Sequence, residues 1–256
     1  CHVIYGFGRL KVHSKITLIT KKEQNSYRHY AHIGTGNYNE QTSRQYTDLG
    51  ILTSDPKICA DAVRLFDGLE NGALHDDYRA LLVSPTTLKK TLLEKIKHEQ
   101  NMAKRGEKAY ICMKMNSLTD IDVINAFVDA SNAGVRIDLI IRGICCLKVG
   151  VPGATENITV TSIVGRYLEH SRIYYFGIGA KNGIFIGSAD MMTRNTSRRI
   201  EVLTPVYDET IAETLVKMTK MQLADNVKAQ EMQPDGKYKK RRPASRDERR
   251  IDSQIE

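Results

Sequence analysis

The feature that most limits what this 256-residue chain can become is an internal echo. "HSK" at residues 13–15 is followed by "HIGTGN" at 32–37 and "TSRQYTDLGIL" at 42–52. "HSR" at 170–172 is followed by "FIGSAD" at 185–190 and "TSRRIEVLTPV" at 196–206. His13 to Gly34 is 21 residues and His170 to Gly187 is 17; Gly34 to Thr42 is 8 and Gly187 to Thr196 is 9. Three blocks in the same order and at near-equal spacing predict two homologous halves that bring their histidines to a common interface.

The elements between the blocks are those of an α/β protein. "RLKVHSKITLIT" alternates like a strand, with Val12, Ser14, Ile16 and Leu18 on one face and His13, Lys15 and Thr17 on the other. "YRHYAHIGTG" reads as a second strand entering a glycine-rich loop, and Pro56 to about Leu69 carries helical periodicity. The polar stretch "ENGALHDD" suggests a boundary near residues 72–80. Beyond it come a short strand and a long amphipathic helix from Ser84-Pro85 to Gly106. The strand "KAYICMKMN", a helix over Asp120–Asn132 and the strand "VRIDLIIRGICCL" follow. This β-α-β run argues for a partly parallel sheet. A last helix is expected from Glu209 to about Met232.

Composition narrows the setting. No uninterrupted apolar run approaches the roughly 18 residues of a membrane span, and no basic-then-apolar leader opens the chain. It starts on "CHVIYGFGRLKV", without Met, as though inside a domain, so a fragment of something longer is expected. Five scattered cysteines, Cys1, Cys59, Cys112, Cys145 and Cys146, favour neither disulfides nor zinc and fit a cytoplasmic protein. Half of the net charge of +8 belongs to residues 236–256, where eight Lys/Arg meet four Asp/Glu. So polar a tail is expected to be disordered; a contact with a membrane surface or nucleic acid is the sharper reading of its charge.

His-x-Lys/Arg, a strand, then Gly-Ser/Thr-x-Asn/Asp resembles the phospholipase D-type phosphotransfer domain, in which one histidine of a pair is the nucleophile and its twin the acid/base. That family's phosphodiesterases carry an Asp seven residues after the histidine, whereas Thr20 and Gly177 stand there here. A longer resemblance covers residues 1–238: "YAHIGTGNYNEQTSRQYTDLGILT", "IIRGICCLKVGVPGATENITVTSIVGRYLEHSRIYYFG", "IGSADMMTRN" and "ADNVKAQEMQPDGKY" resemble the C-terminal part of the large polyphosphate kinases. The resemblance implies an α/β fold of two phospholipase D-like domains, mixed sheets flanked by helices, the first incomplete at its N-terminus. The expected divisions are 1–78, 79–235 and a basic tail 236–256.

The resemblance further implies reversible transfer of the terminal phosphate of ATP to inorganic polyphosphate through a phosphohistidine, by a cytoplasmic homo-oligomer with Mg2+ and without nucleic acid, a peripheral membrane contact being a further option. Chemistry agrees with the residue type. A phosphohistidine keeps transfer potential near that of an anhydride, where a serine ester would trap the phosphate, and neutral imidazole is nucleophilic near pH 7. His13 is expected to be the phosphorylated nucleophile. His170 is expected to contact ATP phosphate and to serve as acid. Lys15 and Arg172 follow their histidines by two residues and suit the neutralisation of phosphate oxygens. Arg142, at the end of an apolar strand, needs an anion partner, and the resemblance assigns it and Tyr46 to ATP. Asn37 and the "GTGN" loop are candidates to present N–H groups to phosphate, and His32 is a candidate to orient that loop or His13. Metal ligands are expected upstream of this chain or on phosphate itself. The alternatives are a phospholipase D-like phosphodiesterase or nuclease and a non-catalytic polyanion-binding module; in either of these the isolated fragment need not be a kinase, and even as a kinase fragment it is expected to be inactive.

Overall fold

The stretch "YICMKM" has no polar face, and a strand of that kind is stable only with other elements on both sides. In the computed structural model, which describes residues 3–4 and 6–256, it lies inside a ten-stranded mixed sheet. Cys1 and His2 lie outside the described residues. In chain order the first half comprises β1 (Lys11–Val12), β2 (Lys15–Glu23), β3 (Ser26–Gly34), α1 (Glu40–Ser43), β4 (Gly50–Thr53) and α2 (Pro56–Asn71). The second begins with β5 (Leu82–Ser84), α3 (Leu88–Lys104), β6 (Tyr110–Met115), α4 (Ile121–Asn132) and β7 (Arg136–Ile141). It continues through β8 (Ile158–Ile163), β9 (Ile173–Phe176), β10 (Ile184–Gly187), α5 (Thr193–Ser197), β11 (Arg199–Pro205), α6 (Glu209–Ala224), β12 (Ala229–Met232) and β13 (Tyr238–Lys240).

β2, β3 and β4 form an antiparallel sheet, and α2 buries Ile58, Ala62 and Leu65 in the core behind it. Asp55 caps α2 by accepting the N–H groups of Lys57 and Ile58, Pro56 occupies its first turn, and Gly72 ends it at φ 74°. The larger sheet runs β1-β11-β10-β9-β6-β7-β8-β12-β13, with β5 on the other edge of β11. Within it β6, β7 and β8 are mutually parallel, with β6 joined to β7 through α4 in the expected β-α-β manner, and the short β1 runs parallel to β11 at the edge. No helix among the described residues is long and apolar enough to cross a membrane.

Four local expectations need correction. β2 begins at Lys15, so His13 is not in the same strand. The N–H groups of His13 and Ser14 both donate to Ile200 O, at 3.0 Å each, where the chain leaves β1 and enters the smaller sheet. α3 begins at Leu88 because Ser84 is still extended, paired with Glu201 of β11. The final helix stops at Ala224: Asp225 Oδ1 accepts the N–H groups of Val227, Lys228 and Ala229 and turns the chain into β12, which pairs with β8. The tail expected to be disordered is instead laid against the second half. Its residues 238–240 pair with β12, and Ile251 N donates to Asn226 Oδ1 at 2.9 Å. Composition hides this, because the tail docks through side-chain amides and carboxylates rather than apolar burial.

The linker between the halves is anchored by Asp61, a buried residue of α2. Its Oδ2 accepts three successive backbone N–H groups, from Arg79 (2.8 Å), Ala80 (2.6 Å) and Leu81 (2.9 Å). Asp61→Ala orphans all three donors and is expected to lower stability by about 3 kcal/mol. Urea unfolding followed by circular dichroism measures the loss, and Asp61→Asn should recover part of it.

Candidate active site

Both histidines stand immediately before a strand, at a place where the chain crosses to the other half. Before His13, β1 pairs in parallel with Arg199 and Ile200 of β11. Before His170, Leu168 forms a parallel bridge with Tyr46, and Ser171 N donates to Thr47 O at 2.8 Å. The backbone of each half therefore positions the histidine of the other.

The side chains repeat the exchange. His13 Nδ1 lies 2.9 Å from Glu201 Oε2 of β11, and Ser188 Oγ donates to the same oxygen at 2.5 Å. His170 Nδ1 lies 2.8 Å from Asp48 Oδ1, and Thr35 Oγ1 donates to that oxygen at 2.6 Å. Each histidine thus receives its carboxylate and hydroxyl from the opposite repeat. Carboxylates that accept from Nδ1–H fix the tautomer with the Nε2 lone pair free for chemistry.

Cations complete both units. Lys15 Nζ lies 3.2 Å from His13 Nδ1 and 3.1 Å from Nε2, and donates to His13 O at 2.5 Å. Arg172 Nη1 lies 3.2 Å from His170 Nδ1 and 3.1 Å from Nε2, and donates to His170 O at 2.8 Å. A donor aligned with one ring lone pair would be far from the other nitrogen, so near-equal distances mean that neither cation blocks Nε2. Arg172 Nη1 also donates to Thr35 O at 3.0 Å, next to Gly34, the register partner of Lys15. That contact ties the two units into one centre.

Burial and charge set the protonation states. Burial pushes the Lys15 ammonium down to about 8, against the pull of Glu201, and Arg172 and Arg199 lower it further. Burial likewise lowers His170, opposed by its hydrogen bond to Asp48, while Arg172 and Arg142 lower it again. Such a histidine is neutral at pH 7. Burial would raise Asp48, but hydrogen bonds from His170 and Thr35 hold it below the usual carboxylate range. Glu201 Oε1 is buried without a hydrogen-bond partner, and the guanidinium of Arg199 stands 3.9 Å away.

Arg172, 2% exposed, is held by Asp190 at 3.1 Å, and Asp190 accepts from the Asn116 side chain at 3.0 and 3.1 Å. Asn116 Oδ1 in turn accepts from Arg142 Nε at 2.7 Å, and Glu169 O accepts from the same nitrogen at 2.9 Å. The partner of Arg142 is therefore an amide and a carbonyl, which leave the rest of its guanidinium free. Arg142 and Tyr46 line a cleft of about 520 Å³ with Gly165, Arg166 and Tyr167, and the Tyr46 ring centroid is 4.9 Å from that of His170. His13, Lys15, His170, Arg172, Arg142 and Tyr46 are thus gathered.

Asn37 is not gathered. It is exposed, and its carbonyl accepts from Asn39 N. The Thr35 N–H of the "GTGN" loop is already given to Leu49 O at 2.9 Å. The counterpart loop buries Asp190 against Arg172, so the two repeats use this position differently. His32 contacts the Tyr38 hydroxyl at 2.8 Å rather than His13. The residues that sequence reasoning missed are Asp48 and Glu201. Their signal was present: an acid follows the repeated Thr-Ser-Arg at its seventh residue in one block and its sixth in the other.

A Mg2+ site does not fit this donor set. Asp48 and Asp190 are taken up by histidine, arginine, amide or hydroxyl donors, and Glu201, engaged through Oε2, leaves a single oxygen free. No group of three or more His, Cys, Asp or Glu side chains among the described residues is arranged to hold a metal.

Comparison with known proteins identifies the family. The sequence model of the family "Polyphosphate kinase C-terminal domain 1" matches residues 1–74, and that of "Polyphosphate kinase C-terminal domain 2" matches residues 81–254. The polyphosphate kinase of Thermosynechococcus vestitus is 48% identical over 95% of this chain and 33% of its own length. Polyphosphate kinase 1 of Chlorobaculum tepidum is 46% identical over 93% of this chain and 34% of its own length. The crystal structure of polyphosphate kinase from Porphyromonas gingivalis superposes with a TM-score of 0.92 at 38% identity, covering 98% of this chain and 39% of that one. The chain spans about a third of the length of the curated relatives it matches. By both domain models, and by identity along nearly its whole length, this chain belongs to the polyphosphate kinase family and corresponds to its C-terminal domains.

Proposed function

We propose that this chain carries the phosphotransfer centre of an ATP–polyphosphate phosphotransferase working reversibly through a phosphohistidine. The observation that supports this best is the pair of histidines, each with a carboxylate from the opposite repeat on Nδ1 and a cation beside the ring. Two buried cations at one centre suit the spread negative charge of a transferring phosphoryl group.

In this reading His13 is the nucleophile. It is the more accessible of the two, with 24% of its side chain exposed against 14% for His170. Glu201 holds the Nδ1 proton, and Nε2 attacks the γ-phosphorus of ATP. The Nε2–P bond forms as the bond from phosphorus to the β,γ-bridging oxygen breaks, and ADP leaves. The imidazolium charge that develops is met by Glu201, whose unpartnered Oε1 is buried beside it. A terminal phosphate oxygen of the polymer then attacks the phosphohistidine and restores neutral His13. ATP occupies the cleft between Tyr46 and Tyr167, with Arg142 on its phosphates and Lys15 and Arg172 on the transferring group; His170, whose Nδ1–H is held by Asp48, donates to phosphate only when Nε2 has taken up a proton. Mg2+ is proposed to travel with the nucleotide rather than on a carboxylate site of this chain. The divisions 1–78 and 79–235 are kept as the two catalytic domains, with the qualification that β1 belongs to the sheet of the second.

Three measurements on the full-length enzyme test the reading. With γ-labelled ATP, an acid-labile, base-stable label should map to His13; His13→Ala should abolish it and lower polymer synthesis by more than about a thousand-fold. A label retained by that variant would refute the mechanism. Glu201→Gln keeps the shape but not the charge and is expected to cost about ten- to a hundred-fold in rate. The Lys15 ammonium is charged below its lowered value and neutral above it, so activity should fall as pH rises through about 8. Lys15→Arg, which copies the other repeat, should move that alkaline limb upward in a pH–rate profile.

A further inference from the structure

The C-terminal residues 251–254 end against the segment that carries His170. The Gln254 side chain forms a two-way bridge with the Tyr167 backbone: Nε2 donates to Tyr167 O at 2.8 Å, and Oε1 accepts from Tyr167 N at 3.1 Å. Nε2 also donates to Glu169 Oε1 at 2.7 Å. A Cβ at position 165 would overlap Gln254 Oε1, so the amide can sit there only because Gly165 has no side chain. Gly165, Tyr167 and Glu169 line the cleft shared by Tyr46 and Arg142.

Glu169 shows why this contact matters. It is 4% exposed, and its Oε2 is shared by Lys114 (2.9 Å), Gln222 (2.9 Å) and Thr47 (3.1 Å). Oε1 has only Gln254 among the described residues. The Glu169 carbonyl receives Arg142, and the next residue is His170. The strap is itself anchored, since Asp225 Oδ2 accepts both the N–H (2.9 Å) and the hydroxyl (2.8 Å) of Ser253, and Asn226 pairs with Ile251. Gln254 thus places three hydrogen bonds on one loop while Ser253 and Ile251 fasten the strap to Asp225 and Asn226, which a solvated tail would not do.

We propose that residues 251–254 form a C-terminal strap in which Gln254 is a positioning residue, holding the 165–170 segment so that His170 and Arg142 face the nucleotide together. The inference rests on the reading of the cleft as the ATP site. Loss of the amide leaves Glu169 Oε1 buried without a donor and Tyr167 N and O without partners. The segment then relaxes, which weakens nucleotide alignment more than chemistry on His13.

The test uses the full-length enzyme with Gln254→Leu, close in size and without polar atoms. KM for ATP should rise about ten-fold or more, with kcat and the apparent affinity for polyphosphate changed less than about three-fold. The Tyr167 amide should exchange its hydrogen at least about ten-fold faster. Gln254→Glu restores the shape but sets a carboxylate against Glu169, so its defect should ease as pH falls and the pair takes up a proton. If Gln254→Leu does not fold, Ser253→Ala loosens the anchor and should show the same KM bias in weaker form. A wild-type KM with wild-type Tyr167 exchange would overturn the proposal. So would a fall in kcat at constant KM in proportion to lost folded protein. Should the wild-type enzyme transfer no phosphate from ATP, the functional reading fails; Tyr167 exchange still decides whether the strap holds the loop.

Discussion

The interaction on which the rest depends is the reciprocal one between the repeats. Neither half contains a complete histidine–carboxylate unit. His13 is oriented by Glu201 and Ser188, and His170 by Asp48 and Thr35. The parallel pairings of β1 with β11 and of Tyr46 with Leu168 hold those side chains in register. The core behind the smaller sheet also takes Leu81, Val83, Ile200 and Val202 from the second half. Separation of the halves would thus strip both histidines of their carboxylates and open that core in one step.

This arrangement concentrates charge where water is excluded. Arg172, Asp190, Lys114 and Glu169 are all nearly or fully buried, and desolvating such groups is costly unless every one is paired. They are paired, through Asn116, Ser171, Gln222 and Gln254. A network of this kind adds little net stability for its desolvation cost. Its return is rigidity, with the donors held in fixed positions around the two histidines. The exceptions are informative: the free oxygen of Glu201 lies beside His13, and the unshared face of the Arg142 guanidinium lies in the cleft.

Much of this was legible in the chain. The duplicated His-x-Lys/Arg and Gly-Thr/Ser blocks announced two halves with a histidine each, and continuous apolar runs marked β6 and β7. The caps at Asp55, Asp120 and Gly72 follow local rules that need no knowledge of the fold. The long motifs also carried the family resemblance. Less legible were the roles of Asp48 and Glu201. Each serves a histidine more than a hundred residues away in sequence, and a one-residue offset between the repeats hid their equivalence. The ordered tail escaped for another reason: composition measures apolar burial, and Gln254, Ser253 and Ile251 dock mainly through hydrogen bonds.

The sequence by itself determined the element types, the duplication and which side chains could do phosphoryl chemistry, because these depend on periodicity, local capping and residue identity. Only the tertiary structure decided which carboxylate serves which histidine, that Asn37 faces solvent while Asp190 turns inward, and that the chain's last residues reach the site. Those choices depend on distances between segments remote in sequence, and local preferences carry no information about them.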